Sequence, residues 1–247
     1  MMTCVRPIVA AAGLMIATLS SLPATAASQP LCRQALALGL DVSGSVDARE
    51  YRLQLDGVAS ALGDADVADA LLAQPGLPVR LAIYEWSEPG DERLVLPWTD
   101  INSPADIVEI QARLNTTERG DMGPSTGIGS ALRTGFALLA QQDSCWVRTL
   151  DISGDGKGNT GQLPQDVTNM PPGVTVNALV IGVDGSVTAT NRNLQIGELT
   201  AYYKTNVLRG PDAFVETALS FDAYAEAMRR KLLRELATIV LGDLADQ

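Results

Sequence analysis

Between residues 35 and 241, short apolar runs alternate with stretches whose apolar residues recur every three or four positions. The runs at 35–41, 79–87, 94–98, 146–152, 174–182 and 213–218 read as strands. The stretches at 48–62, 65–73, 104–114, 126–142, 194–203 and 221–241 read as helices, with 185–192 as loop. Strands separated by helices must be joined by crossovers, which gives a mostly parallel sheet covered by helices. One connection is too short for a crossover. Glu88-Pro89-Gly90-Asp91-Glu92 is a turn, so 94–98 is predicted as an antiparallel edge strand, a position that also tolerates Pro97. The sequence therefore predicts an α/β, doubly wound, mostly parallel six-stranded sheet with one antiparallel edge strand and helices on both faces.

The first run, Leu36-Ala37-Leu38-Gly39-Leu40, ends abruptly in Asp41-Val42-Ser43-Gly44-Ser45. Asp41, Ser43 and Ser45 put three oxygen ligands at the tip of a buried strand, and hard cations want oxygen. Two further loops are rich in oxygen: Gly123-Pro124-Ser125-Thr126-Gly127, which opens a helix, and Asp151-Ile152-Ser153-Gly154-Asp155-Gly156, which follows the fourth strand. In open α/β sheets ligands bind beyond the carboxyl ends of the strands where strand order reverses. In the commonest order the first and fourth strands straddle that point.

These residues resemble the von Willebrand factor type A domain and its metal-ion-dependent adhesion site. That motif is Asp-x-Ser-x-Ser, a Thr opening a helix, and an Asp after the fourth strand. Here Asp41, Ser43, Ser45, Thr126 and Asp155 fill it in order. The similarity extends over residues 32–241 to a bacterial exported branch of uncharacterised function. It rests on the Asp41-Val42-Ser43-Gly44-Ser45-Val46 start, the 151–156 segment, a late stretch from Ala201 to Val215 and a C-terminal helix beginning at Tyr224. The resemblance implies direct metal bonds from Ser43 and Ser45, a direct or water-mediated one from Thr126, and action through waters for Asp41 and Asp155. It implies magnesium, with manganese or calcium able to substitute, and an open position for an Asp or Glu of a protein ligand. Each residue also has a plainer role: Ser43 and Ser45 as helix caps, Thr126 as an N-cap with Ser125 as the rival ligand, and Asp155 as a turn residue.

Composition narrows the function. The chain has no histidine, which removes Ser-His-Asp and Cys-His catalysis and most transition-metal sites. Its net charge of −11 makes nucleic acid a poor partner. Residues 1–27, with Arg6, an uncharged apolar stretch from Ile8 to Leu22 and small residues at 24–27, have the layout of a secretory signal peptide, leaving a single domain over 28–247. The mature chain would be periplasmic or secreted and would carry no stable membrane span. It would keep Cys32 and Cys145, both near the starts of strands at the same end of the sheet. One disulfide between Cys32 and Cys145 is the expectation, with two separate buried thiols as the alternative. Segment 151–162 imitates the start of an EF-hand loop but has Gln162 where the closing Glu belongs. Trp86, Trp98 and Trp146 read as core or sheet-edge residues, Tyr202-Tyr203 as helix packing, and Arg229-Arg230-Lys231 as a solvated helix face.

The expectation is a non-enzymatic, divalent-cation-dependent protein-binding domain. A metal-dependent hydrolase or phosphoryl-transfer enzyme, with Asp121 as the available base, is one alternative. A structural envelope subunit that uses its metal only for stability is the other.

Overall fold

The computed structural model describes Met1, residues 31–182 and residues 189–245. The expected export signal lies outside the described residues except for Met1, as do residues 185–188 of the expected loop after β5. In chain order the elements are β1 (Cys32–Asp41), α1 (Ala48–Leu62), α2 (Ala65–Leu72), β2 (Val79–Trp86), β3 (Glu92–Ile101), α3 (Pro104–Thr116), α4 (Ile128–Leu139), β4 (Cys145–Gly154), β5 (Val174–Ile181), α5 (Ala189–Asn206), β6 (Val215–Ala218) and α6 (Tyr224–Ala245).

The six strands lie in the order β3-β2-β1-β4-β5-β6, all parallel except β3, which runs antiparallel to β2 at the edge. β1 is flanked on both sides and all ten of its residues are buried, so its near-continuous apolar run is what a central parallel strand requires. Its alternation decides the two faces. Leu36, Leu38 and Leu40 pack with Leu55 and Val58 of α1 and Met228 and Leu232 of α6. Ala35 and Ala37 face the other layer, with Leu132 and Phe136 of α4 and Tyr203 of α5. Gly39 continues that small-residue row. A Cβ there would lie 2.6 Å from the Tyr84 hydroxyl, which crosses the strand to donate to the Ala131 carbonyl at 2.7 Å.

Helix starts follow their local signals. Asp47 accepts from the Glu50 amide while the Glu50 carboxylate accepts from the Asp47 amide, both at 2.8 Å. Asp64 caps α2, and Pro104 opens α3 behind Ser103, whose amide donates to Asp106 at 2.8 Å.

Cys32 and Cys145 are register partners on β1 and β4, their Cα atoms 4.5 Å apart, and they form a disulfide. It closes a separation of 113 residues at the amino ends of the strands. In the chain-entropy picture, a loop of that size stabilises the fold by roughly 4–5 kcal/mol.

Three expectations change. α5 starts at Ala189 rather than Leu194, because Thr190-Asn191-Arg192-Asn193 is polar on every side and leaves no periodicity to read. Trp146 is half exposed, whereas Trp86 is fully buried. Lys231 is not solvated. It is wholly buried beneath α6, 2.8 Å from Asp151 and 2.6 Å from Glu235, while Arg230 beside it is exposed and pairs with Glu216. No described helix is long and apolar enough to cross a membrane.

Candidate metal centre

The chain leaves β1 toward β2 on one side and reaches β4 on the other, so the carboxyl ends of β1 and β4 form the switch point of the sheet. Asp41 is the last residue of β1 and is fully buried. Its carboxylate accepts from the Ser43 amide at 2.8 Å, an Asx turn that folds the following loop back over the strand end. The Asp41 carbonyl accepts from the Gln54 side chain at 3.0 Å, tying the strand tip to α1. The Gly44 amide donates to the Pro124 carbonyl at 2.9 Å, bringing in the loop before α4.

All five expected residues come together. The Ser43 hydroxyl lies 3.3 Å from the Ser45 hydroxyl and accepts from Thr126 Oγ1, also at 3.3 Å. Ser45 Oγ donates to Asp155 Oδ1 at 2.7 Å. Burial is graded: Asp41 and Ser43 are at the bottom, Thr126 and Asp155 just above, and Ser45 is exposed at the mouth. The site therefore opens outward.

Thr126 is not the cap of α4. That position belongs to Gly127, whose amide donates to the Ser87 carbonyl at 2.6 Å. Thr126 is held instead by Asn159, which accepts its amide proton at 2.8 Å and donates its own amide to the Thr126 carbonyl at 2.9 Å. This clamp frees the Thr126 hydroxyl to face the cluster, and it is Thr126 rather than Ser125 that contacts Ser43. Asp155 follows β4 directly. The preceding Gly154 passes so close to its neighbours that a Cβ would meet the Tyr203 hydroxyl at 2.4 Å and Asp41 Oδ2 at 3.0 Å.

The oxygen set fits a hard cation. Asp41 Oδ2 and Asp155 Oδ2 are buried without a hydrogen-bond partner, a costly state unless something else satisfies them. The hydroxyl contacts of 3.3 Å are long for O–H···O bonds, so the oxygens converge without satisfying one another. Adjacent oxygens around an octahedral magnesium are about 2.9 Å apart, from bonds of about 2.05 Å, so a few tenths of an ångström of contraction would seat one. Burial, and then the charge of Asp155, push the Asp41 carboxyl up to about 7. Burial likewise raises Asp155. Among the described residues there is no group of three or more His, Cys, Asp or Glu side chains that could hold a metal, so this hydroxyl-rich cluster is the cation candidate they offer. Asp121 is exposed and outside its hydrogen bonds.

The supports of this cluster lie outside the sequence motif. Arg119 donates to the Val42 carbonyl at 2.8 Å, the Ser43 carbonyl at 3.2 Å and the Val46 carbonyl, fixing the whole first loop. Its position in a loop 73–77 residues away carries no local signal. Asn159 lies in a glycine-rich segment whose composition marks a loop but not a clamp.

Residues 31–240 match the family described as "Protein of unknown function (DUF1194)". No curated protein matches the chain. Solved structures do. Proximal thread matrix protein 1 from the mussel byssus, with a zinc-occupied MIDAS motif, aligns with a TM-score of 0.55 at 19% identity, covering 85% of this chain and 49% of its own. A von Willebrand factor type A protein from Catenulispora acidiphila aligns at 0.55 and 14%, covering 83% and 43%. The pilus adhesin SpaC from Lactobacillus rhamnosus GG aligns at 0.51 and 15%, covering 86% and 31%. The chain thus spans half or less of the length of these structures. What the three share with it is the von Willebrand factor type A fold.

Proposed function

We propose that this chain, which belongs to the DUF1194 family and has the von Willebrand factor type A fold, is an exported domain that binds a protein partner through a divalent cation. The observation that carries the reading is the convergence of the Ser43, Ser45 and Thr126 hydroxyls with two buried carboxyls, each of which keeps one oxygen unpartnered. Ser43 and Ser45 would bind the cation through their hydroxyls, and Thr126 directly or through water. Asp41 and Asp155 would orient those hydroxyls and hold the waters between.

Magnesium is the cation of choice, since it keeps waters and prefers octahedral oxygen; manganese or calcium would substitute. With neutral hydroxyls nearest, much of the positive charge would stay unneutralised and would draw an Asp or Glu carboxylate from a partner into the open position. The zinc-occupied MIDAS of the mussel protein and the adhesin role named for SpaC support this reading by analogy of fold. Export is supported by the signal-peptide layout of residues 1–27 and by the Cys32–Cys145 disulfide, a bond that persists in oxidising compartments.

The test is a pull-down from the native envelope fraction with magnesium or with chelator, comparing wild type and Asp41→Ala. Partner capture that needs both the metal and Asp41 is the expected result. Capture that survives chelation would refute the reading.

A further inference from the structure

A pocket of about 360 Å³ opens beside the metal centre, between α5 and the ends of β4 and β5, and Asp155 forms part of its wall. Its floor is aliphatic: Ile181, Ile196 and Leu199, which are themselves packed into the protein. Its rim carries two cations, Lys157 and Arg192, and one exposed acid, Glu198. Neither cation pairs with a carboxylate among the described residues, and the Arg192 Nε is buried without a hydrogen-bond partner. Arg33 and Arg209 also bury an unpartnered guanidinium nitrogen, but each donates elsewhere to backbone carbonyls, whereas Arg192 has no such bond among the described residues. A guanidinium nitrogen desolvated without a partner is unfavourable, and an anion arriving from outside would relieve it.

Resting on the carboxylate-capture reading of the metal centre, we propose that this pocket is a second subsite for the same partner. It takes an aliphatic or aromatic side chain adjacent to the metal-bound Asp or Glu, while Lys157 and Arg192 pair with a further acid a few residues away. The partner is thus an acidic protein segment in which the captured acid is followed or preceded by an apolar residue. The pocket volume lies in the range of sites that bury small ligands, and the apolar floor beneath a charged rim suits one side chain with an acidic neighbour. An aliphatic floor would give affinity by burial, and the two cations would select among acidic segments.

The test is selection of a random heptapeptide display library on the full chain with magnesium, on wild type, Asp41→Ala, and the double variant Lys157→Glu with Arg192→Glu. Circular dichroism checks that each variant is folded, and Arg192→Gln stands in if the double variant is not. Wild type should enrich peptides with an acid beside an apolar residue and a second acid nearby. The double variant should keep the metal-dependent acid but lose the second one or exchange it for Lys or Arg. Its affinity for the best wild-type peptide should fall roughly tenfold or more, the scale of losing one charge-assisted pair. Identical enrichment on wild type and the charge variants, or enrichment of lone acids with no apolar neighbour, would overturn the second subsite and leave the metal reading standing. Absence of any acid enrichment that depends on magnesium and Asp41 would overturn both.

Discussion

Thr126 Oγ1 lies 3.3 Å from Ser43 Oγ across a separation of 83 residues. The contact exists because β1 and β4 are neighbours at the switch point and the loop before α4 is drawn over the end of β1 by the Gly44 amide and the Arg119 side chain. The cluster is therefore a product of the sheet order, and perturbing the cluster should be separable from perturbing the sheet.

Magnesium should raise the melting temperature of the wild-type chain. At a hundredfold excess over the dissociation constant, the linkage is about 2.7 kcal/mol. For a domain of this size that corresponds to roughly 5–10 °C. Asp41→Ala should abolish the rise, and so should Ser43→Ala. Differential scanning fluorimetry with and without chelator measures this; superimposable curves for wild type with and without metal would remove the cation site.

Gly154→Ala should disable the site from the strand beneath it. The added methyl would meet the Tyr203 hydroxyl at 2.4 Å and Asp41 Oδ2 at 3.0 Å, so Asp41 or Tyr203 must move. The expected cost is about 1–3 kcal/mol of stability, with loss of the magnesium-dependent shift. Adding Tyr203→Phe removes the nearer of the two obstructing atoms and should restore part of both. If Tyr203→Phe restores neither, crowding at Gly154 does not hold Asp41 in place.

The legible parts of this molecule are those encoded over a few residues. β1 announces itself by its apolar run, and Asp41, Ser43 and Ser45 by their place at its tip, whereas Thr126 and Asp155 stand out from their loops through the resemblance to the Asp-x-Ser-x-Ser motif and its two later positions. The antiparallel β3 followed from a five-residue turn and Pro97, although the strand is longer than the periodicity suggested because a register irregularity opposite Leu81 to Tyr84 breaks the alternation. What stayed hidden depends on partners distant in sequence. Lys231 looks like part of a basic run until α6 is laid over Asp151. Arg119 is one polar loop residue among many until the loop closes on β1. Gly154 reads as a turn glycine until Tyr203 arrives from α5.

Reduction of the Cys32–Cys145 disulfide, or replacement of both residues by Ser, should lower stability by about 2–5 kcal/mol. The bond sits at the amino ends of β1 and β4, away from the cation cluster at their carboxyl ends. The magnesium-dependent rise in melting temperature should therefore survive at close to its wild-type size. A disulfide-free variant that folds but no longer responds to metal would show that the two ends of the sheet are coupled.

Lys231 leads to the last prediction, on pH. It is buried between Asp151 and Glu235, while Asn177 donates to Glu235 at 2.7 Å. Two carboxyls share one ammonium, so the group favours keeping a proton. Burial pushes the Asp151 carboxyl up to about 7 from 3.8; Lys231 opposes that rise and Glu235 adds to it. The folded state then holds a proton that the unfolded chain has released, and in that window stability falls as pH rises. This contribution is fully present below the unfolded value of 3.8, declines through the interval up to about 7, and is flat above it. Metal-free wild type should accordingly melt lower at the top of that interval than at the bottom. Asp151→Asn, which cannot ionise, should show a shallower slope over the same range, the difference between the two proteins isolating Asp151 from other acids. Lys231→Met should be costly, about 3–5 kcal/mol, because it leaves two buried acids without a cation, and its penalty should be smallest at low pH, where Asp151 is neutral. Denaturant melts of the three proteins across the interval measure this. Parallel slopes for wild type and Asp151→Asn would show that Asp151 does not carry the proton.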